Sequence, residues 1–169
     1  KNILLVADDY QKVREACIWS RRAGVDKIAG YLSGGMTAWA MTGFETGRID
    51  LISPAELHEM ICAAADFVLL DVRAPLEYQD NHIETAVNIP VAELRTRYRE
   101  LDREKTTVVI CSTGNRASLG ISILKQHGFS KICNVAGGMT GYSAAGYSGE
   151  CRICAGPHVA RLFASSMYQ

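Results

Sequence analysis

Short apolar runs, each bounded by polar residues or glycine, recur along the chain. Ile3-Leu4-Leu5-Val6-Ala7, Ile28–Leu32, Phe67-Val68-Leu69-Leu70-Asp71-Val72-Arg73, Ala86–Pro90, Thr107–Cys111 and Ile132–Val135 have the length and β-branched content of buried strands. The stretches between them place apolar residues at helical spacing. Val13, Ala16, Cys17 and Ser20 form one such face, and Leu119, Ile123 and Leu124 another. Ser53-Pro54-Ala55-Glu56 reads as an N-cap serine, a proline at N1 and an acidic N3, which predicts a helix over 54–65. A short helix or turn is predicted over 75–81, and a charged helix over 91–103 with Leu94, Tyr98 and Leu101 facing inward. Gly24 and Gly128 stand where a helix takes a left-handed C-cap. Strands that alternate with helices predict an α/β fold with a mainly parallel sheet.

The pattern also repeats. Ile3–Ala7 matches Thr107–Cys111, and Arg21–Ile28 matches Lys125–Ile132. Gly34-Gly35-Met36-Thr37-Ala38-Trp39 matches Gly137-Gly138-Met139-Thr140-Gly141-Tyr142. Three matches in the same order predict two related units. Only the second unit has an upstream half. Residues 50–149 therefore read as a complete α/β domain, and residues 1–47 as the second half of a similar domain whose first half is missing. The linker falls at 47–51, and 150–169 is a tail outside the repeat. A half domain leaves one face of its sheet open. The expected cover is a missing N-terminal domain of a longer protein, the neighbouring domain, or a partner chain such as a second copy in a homo-oligomer.

Composition narrows the function. Lys plus Arg number 18 and Asp plus Glu number 18, for a net charge of zero. That balance argues against a nucleic-acid partner, which calls for a basic excess. No apolar run approaches the ~20 residues of a membrane span. Six cysteines in 169 residues are too few for a disulfide scaffold and read as thiols in a reducing, cytoplasmic setting.

The chemistry concentrates in Cys111-Ser112-Thr113-Gly114-Asn115-Arg116-Ala117-Ser118. A strand delivers Cys111 to its carboxyl end, where ligands bind in open α/β sheets. The small, glycine-containing loop that follows is short enough to turn its N–H groups toward one point. Such a nest in front of a helix stabilises an anion, here a thiolate or a persulfide, and makes Cys111 a nucleophile near neutral pH. Gly114 permits positive φ. Arg116 adds a fixed positive charge at the rim, suited to an oxyanion substrate. The expected sulfur lies open at the mouth of the sheet.

These motifs resemble the rhodanese family of sulfurtransferases. Asp71-Val72-Arg73 with Glu77-Tyr78 resembles its first signature, and His82-Ile83 with Ala86 and Asn88-Ile89-Pro90 its second. Cys111-x-x-Gly114-x-Arg116-Ala117-Ser118 resembles its active loop, and Gly137-Gly138-Met139 with Tyr142 its closing mark. Thr85 and Tyr142 depart from the usual Gly and Trp. The resemblance covers about 50–147 in full and 3–44 as a second half. It implies a three-layer α/β/α fold and a two-step reaction. Cys111 takes sulfur from a small donor such as thiosulfate or a persulfide, and a thiol or cyanide acceptor removes it. The backbone of Ser112, Thr113, Gly114, Asn115 and Arg116 then cradles the persulfide, and neither a metal nor an organic cofactor is called for. The resemblance extends to tandem arrangements fused behind a metallo-β-lactamase-like persulfide dioxygenase. A non-turnover sulfur carrier or interaction module is the alternative. Cys-dependent phosphatases use a longer Cys-x5-Arg loop, whereas this one is Cys-x4-Arg.

Other residues carry expectations of their own. Ala7 and Lys12 stand where Cys111 and Arg116 stand in the second unit, and Asp8-Asp9 would repel an anion, so the first unit reads as inactive. Asp71 and Arg73 end a strand within reach of a substrate, but the favoured reading is that they bond each other or Glu77 and fix the loops, with Glu77 as structural support. His82 reads as structural, and Cys17, Cys62 and Cys133 as packed thiols. Arg95, Arg97, Arg99 and Arg103 alternate with acidic residues and read as a solvated face. Cys151-x-x-Cys154 with His158 is open between a zinc site, a dithiol that takes sulfur from Cys111, and spare cysteines of a tail.

Overall fold

The computed structural model describes residues 2–148, which divide into two compact units between Arg48 and Ile49. The first unit contains β1 (Ile3–Val6), α1 (Tyr10–Arg22), β2 (Ile28–Leu32) and α2 (Gly35–Met41). Its two strands pair in parallel. The second contains β3 (Asp50–Ile52), α3 (Pro54–Cys62), β4 (Phe67–Asp71), α4 (Pro75–Asp80), β5 (Ala86–Asn88), α5 (Leu94–Arg97), β6 (Thr106–Ile110), α6 (Asn115–Gln126), β7 (Ile132–Val135) and α7 (Gly138–Ala144). Its strands form one parallel sheet in the order β3-β7-β6-β4-β5. Cys151, Cys154 and His158 lie outside the described residues. No helix among the described residues is long and apolar enough to cross a membrane.

The three layers follow from strand alternation. Successive side chains of β6 point to opposite faces. Val109 and Cys111 join Leu94 of α5 and Ala117, Ile121 and Leu124 of α6 in one apolar cluster. Val108 and Ile110 join Leu57 of α3 and Met139 and Tyr142 of α7 in the other. A parallel sheet covered on both faces is what a continuous Val/Ile run encodes. The capping box forms as the sequence predicts: Ser53 Oγ accepts the Glu56 N–H at 3.2 Å and Glu56 Oε2 accepts the Ser53 N–H at 2.7 Å. Gly24 and Gly128 both take positive φ.

Three expectations need correction. The helix expected over 54–65 ends at Cys62. The helix expected over 91–103 is one α-turn, Leu94–Arg97, followed by a 3₁₀ turn at Tyr98–Glu100. Arg97 binds Glu93 and Glu100 and staples those turns, after which Leu101 leaves in extended conformation to bury itself and lead the chain toward β6. Leu119 is not an inward residue of α6; it is 52 % exposed. The buried stripe runs through Ala117, Gly120, Ile121 and Leu124, and Leu119 sits about 200° around the helix from Ala117.

Candidate active-site loop

β6 ends at Ile110, so Cys111 stands at the carboxyl edge of the sheet. The chain then turns into α6 through Gly114, whose φ is 103°. That backbone is costly for any residue with a Cβ, which accounts for the glycine. No side chain of the capping residue satisfies the first amides of α6. The Cys111 sulfur does so instead: Sγ accepts the Gly114 N–H at 3.1 Å and the Ala117 N–H at 3.4 Å. The amides thus converge on the sulfur, at the helix end where negative charge is stabilised.

The sulfur is less open than the sequence suggests, because Cys111 is only 1 % exposed. The loop closes around its own side chain, with Thr113 and Asn115 exposed at the rim and Ser112, Gly114 and Arg116 half-buried. A persulfide would carry its outer sulfur about 2.05 Å farther out, one S–S bond beyond Sγ.

Two further contacts fix the loop. The Met139 N–H donates to the Cys111 carbonyl at 2.8 Å and the Thr140 N–H to the Ser112 carbonyl at 3.0 Å. Behind Gly114 stands Asn134, buried in β7, whose Nδ2 donates to the Gly114 carbonyl at 3.1 Å and to Ser118 Oγ at 3.2 Å. Asn134 Oδ1 is buried without a hydrogen-bond partner among the described residues. The sequence reading missed Asn134, although one amide in an otherwise apolar strand is a visible signal.

Arg116 does not stand free at the rim. Its Nη1 donates to Glu77 Oε2 at 2.6 Å and its Nη2 to Glu77 Oε1 at 2.7 Å, a bidentate pair. These bonds, with help from the Ala74 N–H, hold the Glu77 carboxyl at about 2 against the opposing effect of burial. The carboxylate therefore stays charged from neutral into mildly acid solution. Of the two partners expected for Asp71 and Arg73, each other or Glu77, the structure shows the first: they bond each other, and Glu77 turns to Arg116. Arg73 Nη2 meets Asp71 Oδ2 at 2.6 Å, Arg73 Nε meets Oδ1 and Oδ2 at 3.0 and 2.9 Å, and Nη2 also donates to the Asn81 carbonyl. Asp71 pairs in register with Ile110, so this buried ion pair braces the strand edge beside Cys111.

Asp71→Asn keeps the shape but leaves the Arg73 charge uncompensated in the interior. We expect a loss of about 2 kcal/mol, roughly 10 °C in the unfolding midpoint of this unit. Thermal unfolding followed by circular dichroism checks it, and an unchanged midpoint would refute the bracing role.

The remaining expectations divide. His82 Nδ1 lies 2.8 Å from the Tyr78 carbonyl and its ring stacks on Tyr78, a structural contact. Burial pushes the Cys133 thiol up, with Asp50 and Glu56 adding to the effect, so it is poorly nucleophilic. Cys62 is not simply packed in apolar surroundings: it is half-buried with its sulfur 3.5 Å from His58 Nε2. In the first unit Asp9 occupies the turn before α1, and its Oδ1 accepts the Gln11 N–H at 2.8 Å. A carboxylate there caps the helix that a sulfur caps in the second unit.

A family model described as a rhodanese-like domain matches residues 53–145. The chain is 37% identical over 92 residues to YtwF of Bacillus subtilis, named as a sulfurtransferase, covering 54% of this chain and 88% of that protein. It is 38% identical over 71 residues to YrkF of the same organism, named as a sulfur carrier protein; that match covers 42% of this chain and spans only 38% of YrkF. The crystal structure of a rhodanese-related protein from Thermoplasma volcanium superposes with a TM-score of 0.53 at 38% identity, covering 58% of this chain and 94% of that one.

Proposed function

The chain belongs to the rhodanese-like family, and from that premise we propose that its second unit transfers sulfane sulfur through a persulfide on Cys111. One observation carries the reading: two loop amides converge on Cys111 Sγ at a helix start whose capping residue, Gly114, makes no side-chain cap bond. The Cys111 thiolate attacks the outer sulfur of thiosulfate or of an organic persulfide. A new S–S bond forms, the donor's S–S bond breaks, and sulfite or a thiolate leaves with the electron pair. An acceptor thiolate, or cyanide, then attacks the outer sulfur of the persulfide and Cys111 departs as thiolate. Both steps are displacements at sulfur that balance without an outside oxidant or reductant. The Gly114 and Ala117 amides hold the sulfur, Ser112, Thr113, Asn115 and Arg116 complete the loop around it, and Asp71, Arg73 and Glu77 brace it. The first unit, with Ala7 for the nucleophile and Asp9 over its helix start, serves a structural or docking role.

Mixing with thiosulfate and reading the intact mass tests the proposal. The expected result is a gain of one sulfur that maps to Cys111. A gain mapped to Cys151 or Cys154 would move the site elsewhere. The burial of Cys111 favours a second reading, a carrier that holds the persulfide without turning over free donors. Sustained sulfite release from thiosulfate in the presence of cyanide separates the two, because a carrier stops after one equivalent.

A further inference from the structure

We propose that Glu77 sets donor specificity: by neutralising Arg116 it makes the site favour singly charged sulfane donors over the thiosulfate dianion. The inference rests on the sulfur-transfer reading above. Three observations lead to it. First, both terminal nitrogens of the Arg116 fork are committed to Glu77, at 2.6 and 2.7 Å. Glu77 is itself fixed at the start of α4, where Oε2 also accepts the Ala74 N–H at 3.1 Å. Second, the other guanidinium tied to this strand edge, Arg73, is matched by Asp71. The four charged groups cancel in two pairs. Third, the stabilisation delivered to the sulfur comes from two N–H groups. Two amides suit the single charge of a thiolate or persulfide. A sulfonate arriving with a second charge meets a cation already paired.

Arg116 is close enough for its charge to matter. It belongs to the same loop as the two amides that bind the sulfur, two residues after Gly114 and immediately before Ala117. Removing the Glu77 charge would therefore expose a full positive charge to the incoming donor.

Thiosulfate and benzenethiosulfonate provide the probe. Both present an outer sulfane sulfur, but they carry two negative charges and one, and release sulfite and sulfinate respectively. The quantity measured is the ratio of kcat/KM for thiosulfate to that for benzenethiosulfonate. Glu77→Gln keeps an acceptor for the Ala74 N–H and is expected to raise this ratio about fivefold at low ionic strength, with the gain shrinking in strong salt. The double variant Glu77→Gln/Arg116→Gln removes a neutral pair and should return the ratio to within about twofold of the starting protein. An unchanged ratio in Glu77→Gln would overturn the proposal. So would a double variant whose ratio falls about fivefold, since Arg116 would then receive the sulfonate directly despite its pairing. Equal loss with both donors would reduce Glu77 to a fold contact.

If the unaltered protein releases neither sulfite nor sulfinate and gains no sulfur, the transfer reading is what fails. The charge effect is then still read by alkylation of Cys111. The rate with iodoacetate relative to neutral iodoacetamide should rise about fivefold in Glu77→Gln, and a constant ratio would reject the electrostatic role.

Discussion

Cys111→Ser is expected to abolish sulfur transfer, lowering turnover by roughly 10⁴-fold or more, while the fold persists. The serine hydroxyl gives almost no anion near neutral pH and cannot hold sulfane sulfur in an S–S bond. Its oxygen nevertheless remains an acceptor for the Gly114 and Ala117 N–H groups that the sulfur now satisfies. Cys111→Ala should lose transfer to the same extent but also strand both amides at the start of α6. Leaving buried donors unmet costs about 1–3 kcal/mol. The pair of variants thus separates chemistry from architecture. Sulfite release and intact mass report the first, and thermal unfolding the second. Residual transfer above about one per cent in Cys111→Ser would place the nucleophile elsewhere and sink the site assignment.

Elements whose signal is local are written plainly in the sequence. Strands buried on both faces spell themselves as apolar runs, so β4, β6 and β7 were visible in Val68–Leu70, Val108–Ile110 and Ile132–Val135. The α3 start was written locally as Ser53-Pro54-Ala55-Glu56. The sulfur-binding loop was legible because its parts are contiguous. What was not legible depends on residues far apart along the chain. Glu77 and Arg116 are separated by 39 positions, and nothing local distinguishes a free rim arginine from a bidentate pair. The Asn134 contact with Gly114 spans 20 positions. Leu119 was misread because apolar character alone does not fix a helix face; the buried small residues Ala117 and Gly120 mark it, and Gly120 lets α6 lie close on Leu94, Val72 and Val109. The openness of Cys111 was overestimated for a related reason: its side chain also packs into the apolar cluster with Val109, Ala117 and Ile121, which the loop sequence alone does not show.

Gly138→Ala is expected to cost about 4 kcal/mol, lowering the unfolding midpoint of the second unit by roughly 15–25 °C. Gly138 has φ 55°, a region where an L side chain is strained. A Cβ placed there would collide with the Cys111 carbonyl oxygen and lie 2.7 Å from that of Ser112. Both obstacles are backbone atoms, so no rotamer change relieves them. The same two carbonyls accept the Met139 and Thr140 N–H groups, so the approach that a Cβ forbids is the one that ties α7 to the sulfur loop. A shift of Ser112 away from α7 would also disturb the aim of the Gly114 amide. The variant should therefore lose persulfide formation even at temperatures where it remains folded. Gly35 supplies an internal comparison. Its nearest obstacle is the Asp8 carboxylate oxygen at 2.6 Å, the end of a mobile side chain, and the nearest backbone atom is the Ala7 carbonyl oxygen at 3.1 Å. Gly35→Ala should accordingly destabilise its own unit by no more than about half as much and leave sulfur loading of Cys111 intact. Equal effects at the two positions, or a Gly138→Ala protein that loads sulfur normally, would show that the helix–loop tie does not govern the site.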